Sequence, residues 1–463
     1  MTSRLRLRTE AMAIASLPKT PSIPSGLRFP FEPARSLPCP LVNLSTGQLV
    51  SLSEPPSLWS TKPLISPPAL VPSLQPSYSS AKMPSLALIV GTRPECIKLA
   101  PVFAELRRAG KVRPLLVSTG QHRELLDQAL GSFGLKPDVD LGLMTPGQSL
   151  PELSSRVLIG VSTWLAQAKP DAILVQGDTT TVLGSAMAAF YAGIPVGHVE
   201  AGLRTDDLRS PFPEEMNRRV TSTLARWHFC PTEGAKANLL REGIPAAHCH
   251  VTGNTVIDAL LATRARIGGI EAAAVGARLG IAPSFVASHL AEPRARWILV
   301  TGHRRESFGP GFENLCRGIR QLVDAHPDLG VVYPVHLNPQ VQEPVRRLLS
   351  GHPRIALAAP AAYEDFVWLM DRSTFVLTDS GGVQEEAPSL GKPVLVMREN
   401  TERPEGLAAG TSELVGTDAA RIVAAATRLL ADPAEYARRS QLRNPYGDGT
   451  AAARIAQVME SAL

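Results

Sequence analysis

Short apolar runs alternate with stretches of helical periodicity from Ser85 onward. Nine of these runs, five to eight residues long, have the character of buried strands: SLALIVG (85–91), RPLLVST (113–119), AILVQG (172–177), PVGHVEA (195–201), RWHFC (226–230), WILVTGH (297–303), GVVYPVH (330–336), STFVLTDS (373–380) and KPVLVMR (392–398). Because parallel strands need a crossover, usually a helix, this alternation predicts a mainly parallel, doubly wound α/β sheet. The pattern fades over residues 263–295 and then restarts, so we predict two Rossmann-like domains.

Proline sets the first part of the chain apart. Fourteen of the 41 prolines fall in residues 1–83, which is too dense for a helix or a central strand, and we predict a disordered N-terminal extension there. It has three possible origins: a mis-assigned start upstream of Met83, a targeting segment, or an interaction tail. We predict a first Rossmann-like domain at residues 84–260 and a second at residues 261–449, with a final helix at about 450–463 that packs back on the first.

The net charge is concentrated in the same N-terminal segment. Residues 1–83 contain eight Lys and Arg against three Asp and Glu, which accounts for the whole formal net charge of +5, and the rest of the chain carries 39 of each sign. Since nucleic-acid binding needs a basic patch on the folded part, we predict no nucleic-acid partner. Five widely spaced cysteines without a C-x-x-C pair argue against a disulfide framework or a zinc site and favour a reducing, cytoplasmic compartment. No apolar run approaches the roughly 20 residues that span a bilayer, so no membrane association is predicted.

Three acidic sites fall close together between Gln176 and Asn217. Asp178 in GDTTT and Glu200 in HVEAG each follow directly after a strand-like run, and Glu214 in SPFPEEMN comes shortly afterwards. In a parallel α/β sheet, residues just beyond the carboxyl ends of the strands face the ligand crevice. Several carboxylates that converge there indicate proton-transfer chemistry on a bound substrate.

A glycine turn follows the first strand of the first half. GTRPECIK (91–98) places Arg93 and Lys98 at the start of a helix, where exposed N–H groups favour an anion, although a plain strand-to-helix turn with surface cations would look the same. Neither opening strand is followed by G-x-G-x-x-G, so the sequence gives no support to a nicotinamide cofactor.

TDSGGVQEE (378–386) is a similar glycine turn between a strand and a helix in the second half. Ser380, Gly381 and Gly382 lie between a strand and a helix, and the glycines let a phosphate approach the helix N-terminus closely. Glu386 follows about one turn later and is suited to accept hydrogen bonds from two ribose hydroxyls. The motif therefore predicts a nucleotide site, with a capped helix as the alternative.

Basic and imidazole side chains follow several other strands. His303 in TGHRRES and His336 in PVHLNP end apolar runs, and Arg403 lies among carboxylates in NTERPEG. Cations at these positions suit a diphosphate, whereas solvated or salt-bridged loops are the alternative. Gln121 and His122, in TGQHRELL, follow the second strand and face the predicted crevice, but a helix cap would explain them equally well.

Ten motifs in one order closely resemble those of the non-hydrolysing UDP-N-acetylglucosamine 2-epimerases of bacteria: GTRPECIK, TGQHRE, GDTTT, HVEAGLRT, SPFPEEMNR, HVTGNTVID, TGHRRESFG, PVHLNP, LTDSGGVQEEAPSLGKPVLVMR and NTERPEG. The resemblance runs from about Leu86 to the C-terminus. It implies a two-domain, glycosyltransferase-B-type α/β fold, a homodimer, and an active site in the interdomain cleft without cofactor or metal. It also implies reversible conversion of UDP-GlcNAc to UDP-ManNAc through elimination of UDP to 2-acetamidoglucal and re-addition, which would supply ManNAc donors for cell-surface polysaccharide.

By motif match, the resemblance implies three groups of site residues. The acid–base groups at the sugar would be Asp178, Glu200 and Glu214, with His303 assisting at the pyrophosphate or leaving group. The residues that would hold UDP are Arg93, Lys98, Phe366, Ser380, Gly381, Gly382, Glu386 and Arg403, with Phe366 near the uracil. Those that match positions near a regulatory second UDP-GlcNAc are Gln121, His122 and His336. Ala361 departs from the family, which often has a Gln near the uracil there.

Four alternatives remain open at the level of the sequence. They are an epimerase for another UDP-2-acetamido sugar such as a uronic acid, a hydrolysing epimerase that releases free ManNAc, a glycosyltransferase of the same fold, and a non-catalytic UDP-sugar sensor. A transferase would leave the carboxylates of GDTTT and SPFPEEMNR without a clear purpose. A sensor would bind tightly without turnover, and the intact set of carboxylates argues against it.

Overall fold

The computed structural model describes residues 83–463 except residues 122 and 146, and it does not describe the side chains of residues 123 and 124. The predicted extension at residues 1–83 therefore lies outside the described residues, apart from Met83. Thirteen strands in the described part of the chain form two sheets, one of seven strands and one of six.

The first sheet is built from the N-terminal half of the described chain. Its strands are β1 (Ser85–Val90), β2 (Arg113–Ser118), β3 (Val139–Asp140), β4 (Ala172–Gln176), β5 (Val196–Val199), β6 (Trp227–Cys230) and β7 (Cys249–Val251). Its helices are α1 (Arg93–Ala109), α2 (Arg123–Ser132), α3 (Leu150–Ala168), α4 (Thr180–Tyr191), α5 (Glu214–Leu224) and α6 (Glu233–Arg241), with a 3₁₀ turn at Ala246–His248. The strand order is β3-β2-β1-β4-β5-β6-β7, and all neighbours are parallel.

The second sheet follows in the C-terminal half. Its strands are β8 (Arg296–Thr301), β9 (Leu329–Pro334), β10 (Ile355–Ala358), β11 (Val376–Thr378), β12 (Val394–Val396) and β13 (Ser412–Leu414). The helices are α7 (Thr255–Ile267), α8 (Ala272–Leu279), α9 (Pro283–Phe285), α10 (Pro310–Ala325), α11 (Pro339–Leu349), α12 (Tyr363–Arg372), α13 (Gly381–Glu386), α14 (Pro404–Ala409), α15 (Ala419–Ala431), α16 (Pro433–Ser440) and α17 (Ala451–Ala462). A π-helical turn at Val286–Leu290 and 3₁₀ turns at Arg305–Ser307 and Ala387–Leu390 complete the list. The order is β10-β9-β8-β11-β12-β13, again parallel throughout.

Both sheets repeat one topology. Numbered within its own half, each sheet has the order 3-2-1-4-5-6, to which the first sheet adds β7. The order changes direction between β1 and β4 and between β8 and β11, and ligands of open α/β sheets bind outside the carboxyl ends of strands at such switch points. The predicted doubly wound α/β fold with two Rossmann-like halves is confirmed.

The central strands are buried along their whole length. Every residue of β1 and β4 is buried, because helices cover both faces of the sheet and side chains that alternate between faces must all be apolar or paired. All nine predicted strands are present. The four strands that the pattern did not reveal, β3, β7, β10 and β13, are the edges of the two sheets.

Two chain segments connect the halves. The first leaves β7 and enters α7, which packs against α1 and α17 on one side and against α12 and α13 on the other. The second leads from α16 to α17, whose Ile455 and Met459 join the core around β1. Asp258 of α7 accepts hydrogen bonds from the N–H groups of Ala451 and Ala452 at the start of α17. Because α7 contacts both halves, the domain limit at residues 260/261 stays a prediction.

Within the described ranges, no helix combines the length and the apolar composition that crossing a bilayer requires.

Candidate active site

The carboxyl ends of the two sheets enclose two adjoining cavities. The larger has a volume of about 460 Å³ and the smaller about 270 Å³. Both are lined by Pro94, Lys98 and Arg403, so they form one continuous cleft. The cleft lies at the switch points of both sheets, where the topology predicts a ligand site.

The larger cavity is lined by most of the residues predicted to bind a nucleotide. These are Arg93, Lys98, Phe366, Ser380, Gly382, Glu386 and Arg403. His303, predicted to assist at the leaving group, and His336, predicted for a second ligand, line the same cavity. Gly381 adjoins it, since a Cβ atom at that position would lie only 3.0–3.2 Å from the guanidinium of Arg403. A side chain there would push Arg403 away, which explains why this turn needs a glycine.

The smaller cavity is lined by the three predicted acid–base residues, Asp178, Glu200 and Glu214. Two further carboxylates, Glu95 and Glu402, and the cations of Arg218 and Arg304 also border it. The structure thus brings together carboxylates that are far apart in the sequence. Their surroundings differ, and so do the protonation states that each can adopt.

Asp178 begins the turn between β4 and α4. Arg218 of α5 lies 3.0 Å from its carboxylate, and Asn217 donates a hydrogen bond to its backbone oxygen over 2.8 Å. Although 31% of the side chain is open to the cavity, the surrounding protein excludes enough water to raise the pKa of Asp178 to about 6, against the opposing effect of Arg218. A carboxyl group with this pKa can both accept and return a proton near neutral pH.

Glu200, in contrast to Asp178, is held in its ionised form. Lys98 Nζ donates to its Oε1 over 2.6 Å, and Gln176 Nε2 donates to its Oε2. Burial opposes ionisation, but Lys98, Arg403 and Asn254 together outweigh it and keep the pKa of Glu200 below its usual value. The backbone of Glu200 has a φ of 65°, which is uncommon for a residue with a side chain and is typical of a constrained site.

Glu95 is a buried carboxylate that sequence reasoning missed. Its Oε2 accepts from the N–H groups of Gly91 (2.5 Å) and Thr92 (2.9 Å), and its Oε1 accepts from the Thr179 hydroxyl. Burial raises the pKa of Glu95 to about 7 despite these bonds. Glu95 therefore connects the turn after β1 to the turn that carries Asp178. The T-x-x-E pattern was a visible signal, but it predicts only a helix capping box.

His303 follows β8 and is oriented by Asp379, a second residue that was not predicted. The buried Asp379 Oδ2 accepts from the backbone N–H groups of His303 (2.6 Å) and Arg304 (2.8 Å). Its Oδ1 lies 3.4 Å from His303 Nδ1, and the His303 ring stacks on His336 with centroids 5.4 Å apart. Burial, together with Arg304, His336 and Arg93, keeps the pKa of His303 below its usual value, while Asp379 opposes this effect.

Arg403 and Glu386 both line the larger cavity. Arg403 Nε donates to Glu385 over 2.9 Å, and its Nη1 lies 2.9 Å from Glu402. Tyr363 donates from its hydroxyl to Glu386 Oε1 over 2.8 Å, and burial raises the pKa of Glu386 to about 7. Tyr363 makes no hydrogen bond to the other carboxylate oxygen of Glu386, Oε2.

Two of the three residues predicted for a second ligand are described. His336 lines the larger cavity beside His303. Gln121 instead accepts hydrogen bonds from the hydroxyl (2.8 Å) and the N–H (3.3 Å) of Thr181 at the start of α4. His122 lies outside the described residues. A second ligand site at Gln121, His122 and His336 therefore stays a prediction.

In the described part of the chain, no three His, Cys, Asp or Glu side chains are grouped so that they could hold a metal ion. Three carboxylates of the cleft are paired with cations instead: Asp178 with Arg218, Glu200 with Lys98, and Glu402 with Arg398 and Arg403.

Comparisons with known proteins agree with this geometry. A family model described as UDP-N-acetylglucosamine 2-epimerase matches residues 104–460. The chain is 52% identical over 373 residues to the UDP-N-acetylglucosamine 2-epimerase of Salmonella typhimurium, covering 81% of this chain and 97% of the relative. The protein of the same name from Escherichia coli K12 is also 52% identical over 373 residues, with 81% and 97% covered.

Solved structures give the same result. UDP-GlcNAc 2-epimerase from Neisseria meningitidis, bound to UDP-GlcNAc, has a TM-score of 0.75 and 44% identity, covering 81% of this chain and 100% of that one. The Methanocaldococcus jannaschii UDP-GlcNAc 2-epimerase in complex with UDP-GlcNAc and UDP has a TM-score of 0.67 and 32% identity, covering 81% and 99%.

Proposed function

Because this chain belongs to the UDP-N-acetylglucosamine 2-epimerase family, we propose that it interconverts UDP-GlcNAc and UDP-ManNAc by moving the proton at C2 of the sugar. The family and the glycosyltransferase-B-type fold that the motifs predicted are both confirmed. One observation carries the proposal for the site: a carboxyl group with a pKa of about 6, Asp178, borders a cavity that adjoins the nucleotide-sized cavity.

The larger cavity holds UDP in this proposal. Phe366 lies beside the uracil and Glu386 accepts from the ribose hydroxyls. The first N–H groups of α13, at Gly381 and Gly382, have no partner within the helix and are suited to a phosphate oxygen. Arg93 of the first half and Arg403 of the second both line this cavity. The anionic diphosphate would therefore meet a cation from each half.

The smaller cavity holds the sugar. Asp178 removes the C2 proton, the electron pair of the C–H bond forms a C1–C2 double bond, and the C1–O bond breaks so that UDP leaves with its electrons. UDP then adds back to C1 of 2-acetamidoglucal while a proton returns to C2 on the other face. Glu214 is the second acid–base group, because Glu200 is already held ionised by Lys98.

His303 stabilises the charge that develops on the departing diphosphate. It lines the nucleotide cavity, and Asp379 fixes its backbone and faces its Nδ1, so its Nε2 is the nitrogen left for the ligand. Positioned donors in a cleft shielded from water stabilise developing charge more than the same groups would in water. This arrangement requires neither a nicotinamide nor a metal.

The test is an assay of the full chain with UDP-GlcNAc in D₂O, read by proton NMR. We expect UDP-ManNAc with deuterium at C2, because the proton removed exchanges with solvent before it returns. Free ManNAc with UDP would instead identify a hydrolysing epimerase. An unchanged sugar would contradict the proposal and leave another UDP-2-acetamido sugar, a transferase or a sensor.

We also propose that the protein is a homodimer. Helices α3, α4 and α5, which contact one another in that order, each carry exposed apolar side chains: Ile159 at 64%, Phe190 at 59%, Tyr191 at 68%, Met216 at 36% and Val220 at 38% exposure. Apolar groups clustered on contacting helices are typical of a surface that another chain covers. A second copy is the partner that we propose, and sedimentation velocity of the full chain at low micromolar concentration tests it: a monomer would refute it.

The proposed setting is the cytoplasm, where the product would serve as a ManNAc donor for cell-surface polysaccharide. The four described cysteines, Cys96, Cys230, Cys249 and Cys316, are buried and free, which supports a reducing compartment. Fractionation of the producing cell with an antibody to this chain tests the location, and recovery outside the cytoplasm would contradict it.

A further inference from the structure

The segment that joins the first half to the second passes through a buried polar centre at Asn254. Its backbone N–H donates to the carbonyl of Tyr446 over 2.7 Å, which binds the two connecting segments together. They are packed closely, since a Cβ atom on Gly253 would lie 3.3 Å from the Cα of Gly447. Asn254 therefore lies where the two connections between the halves cross.

The side chain of Asn254 uses all its hydrogen-bonding groups. Its Oδ1 accepts from Val256 N (3.1 Å) and caps α7. Its Nδ2 donates to Glu200 Oε1 (3.0 Å) and to Glu385 Oε2 (2.9 Å). A cap alone would be served equally by Ser, Thr or Asp, but none of these offers one acceptor and two donors. The capping role therefore does not explain why an Asn is present.

The two carboxylates that share this amide belong to opposite halves. Glu200 follows β5, and Lys98 binds the same oxygen that Asn254 binds. Glu385 lies in α13, directly before Glu386, and its other oxygen accepts from Arg403. Asn254, Glu200 and Glu385 are at most 9% exposed, so water cannot replace a lost donor. The amide is thus a direct bridge between the nucleotide-binding helix and a carboxylate of the sugar pocket.

Removing the bridge would leave Glu385 Oε2 without its donor and Glu200 Oε1 with Lys98 alone, and no hydrogen would lie between the two carboxylates. Unpaired buried acceptors are costly, and like charges repel strongly where water is excluded. Glu200 would then turn away from Glu385, and Lys98 would move with it. The geometry of the sugar pocket therefore depends on a contact made outside both cavities.

We propose that Asn254 is a positioning residue that holds Glu200 and Lys98 in register with α13, so that nucleotide bound by the second half meets a correctly arranged sugar pocket in the first. This inference rests on the proposed function. It assigns a role to the HVTGNTVID motif, and it makes Glu385 the partner through which the second half contributes to the chemistry.

The experiment compares three full-length variants with the wild type. Asn254→Ser keeps an acceptor for the cap but replaces the two N–H donors of the amide by a single hydroxyl, which cannot donate to both carboxylates. Asn254→Asp keeps the shape and the cap but adds a third carboxylate. Asn444→Ser is the matched control, because Asn444 is also a buried amide on a connecting segment but donates only to the Glu385 carbonyl and the Ser389 hydroxyl. Each protein is assayed for kcat and KM, for the UDP dissociation constant by calorimetry, and for melting temperature.

We expect Asn254→Ser to lower kcat by about 100-fold, the usual consequence of misplacing reacting groups by about 1 Å, with little change in UDP affinity. Asn254→Asp should lose more, and Asn444→Ser should keep kcat even if it melts earlier. A wild-type kcat for Asn254→Ser, or parallel losses of kcat and UDP affinity, would overturn the inference.

Two further outcomes are decisive. If Asn254→Ser melts below the assay temperature, Glu385→Ala removes the acceptor of the same bridge on the other side, and a wild-type kcat for that variant overturns the inference equally. If the wild-type chain does not epimerise, the proposed function fails and this inference fails with it. Turnover by the wild type and by Asn254→Ser alike refutes the inference alone.

Discussion

The two halves of the molecule have the same strand order but present different chemistry at the same topological position. At the switch point of the first sheet lie Asp178 and Glu200, which are carboxylates. At that of the second lie His303, a glycine turn and Arg403. The fold therefore determines where a functional side chain is placed, and the residues that follow each strand determine what the site does.

The difference also supports the proposal that one part of the cleft binds the nucleotide and another transfers the proton. A nucleoside diphosphate is anionic, so the larger cavity is suited to hold it, since the second half supplies N–H groups and Arg403 there and the first half adds Arg93 and Lys98. A proton at a sugar carbon is weakly acidic, so the half that supplies a carboxyl group of raised pKa is suited to remove it. Substitutions of the residues that act on the reacting bonds and of those that hold UDP should therefore change different kinetic constants, and four predictions test this division.

The largest effect is expected from Asp178→Asn in the first half. We expect kcat to fall by at least about 1000-fold, the upper part of the range for a lost acid–base group, while UDP affinity stays near that of the wild type. Asp127→Asn, at an exposed position of α2, is the control. A loss of UDP affinity with an unchanged kcat would contradict the roles proposed for the two halves.

The same residue predicts the pH dependence of the wild type. Asp178 accepts a proton only when ionised, and its pKa is about 6, so kcat/KM should fall about tenfold per pH unit below pH 6. The value of kcat/KM falls toward low pH because protonation removes the ionised form of Asp178 that acts as the base. A profile that stays level from pH 7 down to pH 4.5 would exclude Asp178 as the base.

An intermediate effect is expected from Asp379→Asn. Asp379 belongs to the second half, but it orients His303, which is proposed to act on the leaving group and not only on binding. We expect kcat to fall by about 100-fold, since His303 loses the partner that orients it, with a smaller change in UDP affinity. Asp418→Asn, a carboxylate that accepts a backbone N–H at the exposed start of α15, is the control. A change in KM alone would place Asp379 and His303 in binding only.

The smallest effect is expected from Arg403→Lys. Lysine keeps the charge but loses the planar fork, so UDP affinity should fall by about tenfold while kcat at saturating substrate changes less. Arg428→Lys, in an exposed ion pair with Glu413, serves as the control. If kcat falls and the UDP dissociation constant does not, Arg403 acts on the reaction and the division between the halves is less sharp than proposed.

Much of the cleft was predictable because its residues follow strands. Asp178, His303 and Ser380 each come directly after an apolar run, and parallel strands end at one edge of a sheet, so position along the chain implies position in the crevice. Asp379 also follows a strand, but an acidic residue beside Ser380 gave no sign that it would accept from the backbone of His303, 76 positions away. Asn254 and Glu385 meet across 131 positions and were missed for the same reason.

The amino-acid sequence by itself determined the central strands, the α/β class, the family and the residues at the ends of the strands. Central strands are buried on both faces, so their composition alone identifies them. Only the tertiary structure decided the short edge strands β3, β7, β10 and β13, which have a single neighbour and a weaker apolar pattern. It also decided that Lys98 keeps Glu200 ionised while Asp178 has a pKa of about 6, because a pKa depends on burial and on charges that other segments supply.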